Sequence, residues 1–282
     1  MSPTGATAVY ALIGHPIRHS PSPALHNAWF RAAGLDAIYV PLPAPAPLRD
    51  LAGTLRALGL AGANLTLPHK VASMSSLDRV DPMAEACGAV NTVVVRGGEV
   101  LGFNTDAPGL QAALVEGGFS IAGARCAVLG AGGAARAAAL ALHLSGARHV
   151  EVCNRNPTRA EALLDDLGIA GGAHPLSATA FAALTPELVV VINALPGPGR
   201  ARVFDLDIRG LKRTCGWVDL NYWDAAPPHL AALGATGHPI QTGLPMLLHQ
   251  AALAFAHFTG QAADLDLGRA LLAQTGAVPG AT

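Results

Sequence analysis

Charge is scarce in this sequence: Asp, Glu, Lys and Arg make up 13% of 282 residues, and the net charge is −1. There is no block of Lys or Arg to follow a phosphate backbone or an acidic lipid surface, which excludes nucleic acid and membrane surfaces as expected partners. Lysine is rarer still, with Lys70 and Lys212 the only two. Cysteine is limited to Cys87, Cys126, Cys153 and Cys215. Their wide spacing contains no C-x-x-C pair, so it signals neither a zinc site nor a disulfide framework, and they read as small buried hydrophobes. Histidine is more plentiful, but His15, His19 and His26 share a proline-broken stretch unsuited to metal, and no metal is expected. Apolar runs of about 18 residues are all interrupted by Arg, Asp or Pro, and the start carries no basic leader, so a cytoplasmic location is expected.

What is present is an alternating rhythm. AVYALIG, a helix over 23–33, AIYVPLP, a helix near 47–59 and GANLTLP give a βαβαβ order. A short helix around 82–88 precedes AVNTVVVRGGEVLGFN, two β-rich runs split by Gly97 and Gly98, which predict a hairpin and therefore a mixed sheet. A helix over 107–116 then leads to ARCAVLGAGGAARAAALALHLSGA, and HVEVCNR, ELVVVINALPG and CGWVDLNY follow as strands. This second unit reads as parallel and doubly wound, and the final stretch from GLPMLLHQAALAFAHFTG as helical. The fold class is α/β in two domains, at about 100–200 residues each. A mixed-sheet domain spans 1–106 with 244–282, and a Rossmann-like domain spans 107–243.

Gly130, Ala131, Gly132, Gly133 and Ala134 form a glycine turn between a strand and a long helix, where free backbone N–H groups meet a dinucleotide pyrophosphate. At the end of the next strand stand Asn154, Arg155, Asn156 and Arg159. Arginines there, with no carboxylate, favour the 2′-phosphate of NADP, although a helix start also accounts for Arg159.

GHPIRHSPSPALHN places Ser20 and Ser22 before alternating prolines that predict extended geometry, so both hydroxyls face one side. Ser22 suits an N-cap with Pro23 at N1. The pair also suits an anion such as a carboxylate at a helix N-terminus. Asn64 and Thr66 share one face of GANLTLP, and Lys70 closes that segment either as a surface lysine or as a proton carrier. Asn91 and Asp106 end the hairpin strands, and Asp106 also reads as a helix cap.

HSPSPALHN, GANLTLPHK, GAVNT, NTDAPG, GAGGAAR, NRNPTRA and GLPMLLHQA, in that order, resemble the shikimate dehydrogenase family over about residues 9–260. The resemblance implies reversible NADP-dependent reduction of 3-dehydroshikimate to shikimate, a step of chorismate and aromatic amino acid biosynthesis, by a monomer or homodimer. It implies that Ser20, Ser22 and Tyr222 hold the substrate carboxylate. It further implies that Asn64, Thr66, Asn91, Asp106 and Gln250 hold ring hydroxyls, that Lys70 with Asp106 handles the proton, and that Gly243 and Met246 lie by the cofactor. The sequence departs from the family pattern in WDAAPPHL after Tyr222, at Pro245 and at Ala107. The competing readings are a relative acting on quinate or aminoshikimate, and a noncatalytic NADP-binding sensor.

Overall fold

The structure is a computed structural model that describes residues 2–196, 203, 205–222 and 228–274. The chain divides into two compact units, one holding Met1–Thr105 with the helical segment that begins at Leu248, the other Asp106–Leu247.

The first unit runs β1 (Ala8–Gly14), α1 (Ser22–Ala32), β2 (Ala37–Pro43), α2 (Leu51–Ala57), β3 (Gly62–Leu65), α3 (His69–Ala72), β4 (Arg79–Val80), α4 (Pro82–Cys87), β5 (Thr92–Arg96) and β6 (Glu99–Phe103). Its sheet has the order β2-β1-β3-β5-β6-β4. The chain reverses at Gly97 and Gly98, whose φ values of +58° and +86° suit the two-residue turn that closes the β5–β6 hairpin. β3 and β5 pair antiparallel while β1 pairs parallel with both β2 and β3, so the sheet is mixed as the sequence predicts.

The second unit runs α5 (Asp106–Glu116), β7 (Arg125–Leu129), α6 (Gly133–Leu144), β8 (His149–Asn154), α7 (Pro157–Leu167), β9 (Gly171–Pro175), α8 (Ala178–Leu184), β10 (Leu188–Asn193), β11 (Gly216–Asp219), α9 (Pro228–Ala235) and β12 (Ile240–Thr242). The sheet is parallel throughout, in the order β12-β11-β10-β7-β8-β9. Strand order reverses beside β7, and a ligand crevice belongs outside the carboxyl ends of the strands at such a switch point. Both faces are buried, as a parallel sheet requires. Cys126, Val128, Val150, Val152 and Ile192 cluster with Leu110, Leu114 and Leu142. Ala127, Leu129, Cys153 and Val191 cluster instead with Phe181, Leu184 and Leu230. Burial pushes the thiols of Cys126, Cys153 and Cys215 up to about 12, in keeping with inert core cysteines.

Two last helices, α10 (Leu244–Thr259) and α11 (Leu265–Gln274), complete the chain. Past Leu248 they pack on the first unit, where Tyr10 Oη donates to the Phe258 carbonyl (3.2 Å) and Trp29 Nε1 to the Asp264 carbonyl (2.7 Å). Among the described residues, no helix is long and apolar enough to cross a membrane, and no group of three or more His, Cys, Asp or Glu could hold a metal ion.

Candidate active site

The serine pair departs from the expected geometry. Pro21 is helical in φ and ψ (−80°, −5°) and is the N-cap, and Ser22 is already the first residue of α1 rather than an extended cap. The prolines start the helix one residue early because Pro23, in the first turn, lacks only an N–H that has no intrahelical acceptor there. The hydroxyls still meet. Ser20 Oγ accepts from the Ser22 backbone N–H (3.3 Å) and donates to Ser22 Oγ (3.2 Å).

β3 carries Asn64 into a buried polar network. Asn64 Nδ2 donates to the Asn91 carbonyl (3.2 Å) and to Thr92 Oγ1 (2.9 Å), while Asn64 Oδ1 accepts from Tyr39 Oη (2.8 Å). Asn91 Oδ1 accepts from the Thr105 N–H (2.8 Å) and Thr92 Oγ1 (3.0 Å), and its Nδ2 donates to Thr105 Oγ1 (2.9 Å) with Gln250 Oε1 at 3.5 Å. The first unit therefore brings Asn64, Asn91 and Gln250 together. Thr66 lies one residue beyond β3, half-buried, with its N–H donating to the Ile13 carbonyl (2.9 Å).

Lys70 does not end a strand: it occupies the one-turn helix α3, half-buried. The turn is tied down by its neighbour. Buried His69 places Nε2 3.0 Å from the Ala44 carbonyl and Nδ1 3.4 Å from the Leu48 N–H. A carbonyl only accepts and an amide N–H only donates, so His69 is the neutral Nε2–H tautomer. The Lys70 carbonyl accepts from the Val90 N–H (2.8 Å), which ties the turn to the loop ending in Asn91. Sequence reasoning missed Tyr39, His69, Thr92 and Thr105. The Thr after each Asn in GAVNT and GFNT was the available signal for the last pair.

In the second unit, Asp106 opens α5 and is 6% exposed. Tyr222 follows β11, and its phenol pKa is raised by burial and then by the Asp106 charge. Asp219, fully buried at the end of β11, shapes the turn before it. Its carboxylate accepts from Asn193 Nδ2 (3.0 Å), His229 Nε2 (3.0 Å), and Asn221 N–H (3.0 Å) and Nδ2 (2.7 Å). Burial acts to raise the Asp219 pKa, but the bonds from His229, Asn221 and Asn193 outweigh it and hold the carboxyl below its usual value. WDAAPPHL falls largely outside the described residues. Pro245 lies in the first turn of α10, where a proline fits, and Ala107 is wholly buried in α5.

Gly130 leaves β7 at φ +112°, and Ala131 and Gly132 lead into α6, whose N-cap, Gly132, makes no side-chain capping bond. A Cβ added at Gly132 or Gly133 would meet nothing within 4 Å. With Ala134 in the first turn, the open backbone and uncapped amides suit a pyrophosphate. At the end of β8, Asn154 Nδ2 donates to the Asn156 carbonyl (2.9 Å), and Asn156 caps α7 by accepting from the Thr158 N–H (3.1 Å). Arg155 and Arg159 are exposed beside this cap, and two guanidinium groups fit a phosphate monoester. The residues present therefore fit NADP. Gly243 is a glycine of necessity, since a Cβ there would stand 2.2 Å from the Leu220 carbonyl oxygen, and Met246 packs on the β7–β10 core cluster.

Family models match in three segments: a shikimate dehydrogenase substrate binding domain at residues 12–93, a shikimate/quinate 5-dehydrogenase at 113–196, and a shikimate 5'-dehydrogenase C-terminal domain at 243–272. A shikimate dehydrogenase (NADP(+)) of Citrifermentans bemidjiense is 44% identical over 269 residues, covering 92% of each chain. A solved shikimate 5-dehydrogenase of Thermus thermophilus, in complex with NADP(H) and shikimate, is 37% identical with a TM-score of 0.82, covering 95% of this chain and 99% of that one. A quinate dehydrogenase of Corynebacterium glutamicum in complex with NAD is 30% identical with a TM-score of 0.86, covering 95% and 99%. The ordered motifs, the two sheets and these likenesses agree, and the chain belongs to the shikimate dehydrogenase family.

Proposed function

We propose that the chain catalyses the reversible NADP-dependent reduction of 3-dehydroshikimate to shikimate, with residues 1–106 and 244–282 as its substrate domain and 107–243 as its cofactor domain. The observation that carries the reading is the buried network joining Asn64, Asn91 and Gln250, a cluster of side-chain amides whose chemistry suits a polyhydroxylated ring. Ser20 and Ser22 hold the substrate carboxylate with Tyr222, and Thr66 adds a ring contact. Lys70 takes the proton of the reacting hydroxyl in oxidation and returns it in reduction. The Asp106 carboxylate works with it and also binds a ring hydroxyl. NADP, when bound, supplies or accepts the hydride. The amides of Gly130 to Ala134, with Ala131, Gly132 and Gly133 between, hold its pyrophosphate. Asn154, Arg155, Asn156 and Arg159 hold the adenosine phosphate end, and Gly243 and Met246 face its nicotinamide.

Four buried free cysteines accord with a reducing cytoplasm as the place of action, and the protein works there as a monomer or homodimer. Shikimate-dependent formation of NADPH by the purified chain tests the activity. NADP binding without turnover would instead mark a sensor. A second reading, action on quinate with NAD, draws on the likeness to the Corynebacterium quinate dehydrogenase.

A further inference from the structure

Two consecutive residues of α1, His26 and Asn27, have no part in the proposed chemistry, yet both grip Tyr39. Asn27 clasps its backbone, with Oδ1 accepting from the Tyr39 N–H (2.9 Å) and Nδ2 donating to the Tyr39 carbonyl (2.8 Å). The His26 ring lies parallel to the Tyr39 ring, with centroids 4.4 Å apart and planes 5° apart, inside a box of Trp29, Phe30, Phe255 and Phe258. Backbone and ring are both fixed, so the Tyr39 hydroxyl has one place to point, and that place is Asn64 Oδ1 at 2.8 Å.

The direction of every bond around Asn64 then follows from groups with no choice. The Asn91 carbonyl can only accept, so the Asn64 atom facing it is the amide nitrogen. The second amide proton goes to Thr92 Oγ1, which passes its own proton to Asn91 Oδ1. The Asn64 oxygen is thereby turned to Tyr39, whose hydroxyl must donate to it. Both Asn64 donors and one of its two acceptor lone pairs are committed. We propose that Tyr39, held by His26 and Asn27, is a positioning residue that leaves Asn64 one remaining capacity, that of a hydrogen-bond acceptor, so that the ring group it reads must be a donating hydroxyl. The inference rests on Asn64 binding substrate.

The test compares kcat and KM for shikimate in the parent, Tyr39→Phe, Asn64→Ala and the double variant. Tyr39→Phe keeps the stacked ring and removes the donor. It is expected to raise KM about 3- to 10-fold with kcat within about twofold, and to add nothing in the Asn64→Ala background. A second measurement leaves Tyr39 intact. Each non-reacting ring hydroxyl of shikimate is replaced in turn by fluorine, which only accepts, or by an amine, which donates. At one position fluorine is expected to lose on the order of tenfold or more in kcat/KM while the amine is retained, and Asn64→Ala is expected to erase the difference. Equal tolerance of fluorine and amine at every position in the parent, or a Tyr39→Phe loss that persists in full without Asn64, overturns the inference. An Asn64→Ala enzyme kinetically equal to the parent overturns the substrate role of Asn64 itself, a separate failure that takes the inference with it.

Discussion

Ser20 Oγ accepts the backbone N–H of Ser22 and donates to Ser22 Oγ, which leaves the Ser22 hydroxyl proton to turn toward an anion. Ser22→Ala is therefore expected to raise KM for shikimate on the order of tenfold or more, since bonds to charged groups contribute about 1.5–3 kcal/mol, and Ser20→Ala by less. Ser22→Ala removes only the bond between the two hydroxyls, whereas Ser20→Ala removes that bond and the one that Ser20 Oγ accepts from the Ser22 N–H at the start of α1. Urea unfolding should show a loss of about 0.5–1.5 kcal/mol for Ser22→Ala and a larger one for Ser20→Ala. Shikimate methyl ester, which lacks the charge, should suffer proportionately less in Ser22→Ala than shikimate does. Equal losses for acid and ester would show that the serines do not read a carboxylate.

Arg155 stands exposed at the end of β8, where an NAD enzyme places a carboxylate. Arg155→Ala is expected to weaken NADP by about 10- to 150-fold, one charge-assisted contact, and to leave NAD nearly unchanged. Titration of both cofactors checks this, and equal losses would contradict it.

His26 is buried among aromatic rings with no hydrogen-bond partner on either ring nitrogen, and burial pulls its pKa down from 6.5 to about 3. The unfolded chain thus takes up a proton there that the folded chain refuses. The associated stability is full above pH 6.5 and is lost as the pH falls from 6.5 toward 3. At pH 5.5 the loss from this residue alone is on the order of 1 kcal/mol relative to pH 8. Denaturant unfolding at both pH values should show that share of the dependence vanish in His26→Leu. An unchanged dependence would contradict a neutral, buried His26.

Asp219→Asn replaces a carboxylate that accepts four hydrogen bonds with an amide that turns a donor toward donors. A stability loss of at least about 2 kcal/mol is expected, with a raised KM for shikimate because Tyr222 follows the turn that Asp219 shapes. A variant as stable as the parent would show the cluster to be dispensable.

The glycines were the most legible part of the sequence. Gly97 and Gly98 marked the hairpin, and Gly130 to Gly133 marked the strand-to-helix turn, because positive φ and open backbone are local demands that a single residue type meets. The edge strand β9, Gly171–Pro175, escaped notice: two glycines, a histidine and a proline carry no strand pattern, and parallel pairing with β8 alone makes it one. β12 has only three residues and is recruited by β11. Ser22 and Lys70, for which the sequence pattern predicts extended geometry, are helical, because the prolines beside them begin turns rather than prolong strands. Tyr39 and His69 were invisible for another reason. Each acts on a group some 25 residues away, and only folding brings such partners together.

Turnover of shikimate with NADP is the central expectation. The decisive measurement is kcat/KM for the purified chain over four pairings, NADP or NAD with shikimate or quinate. Shikimate with NADP is predicted to exceed every other pairing, and Lys70→Ala is predicted to lower kcat for it by about 10²- to 10⁴-fold with a smaller change in KM. Quinate with NAD as the best pairing, or a Lys70→Ala enzyme with kcat intact, would contradict it.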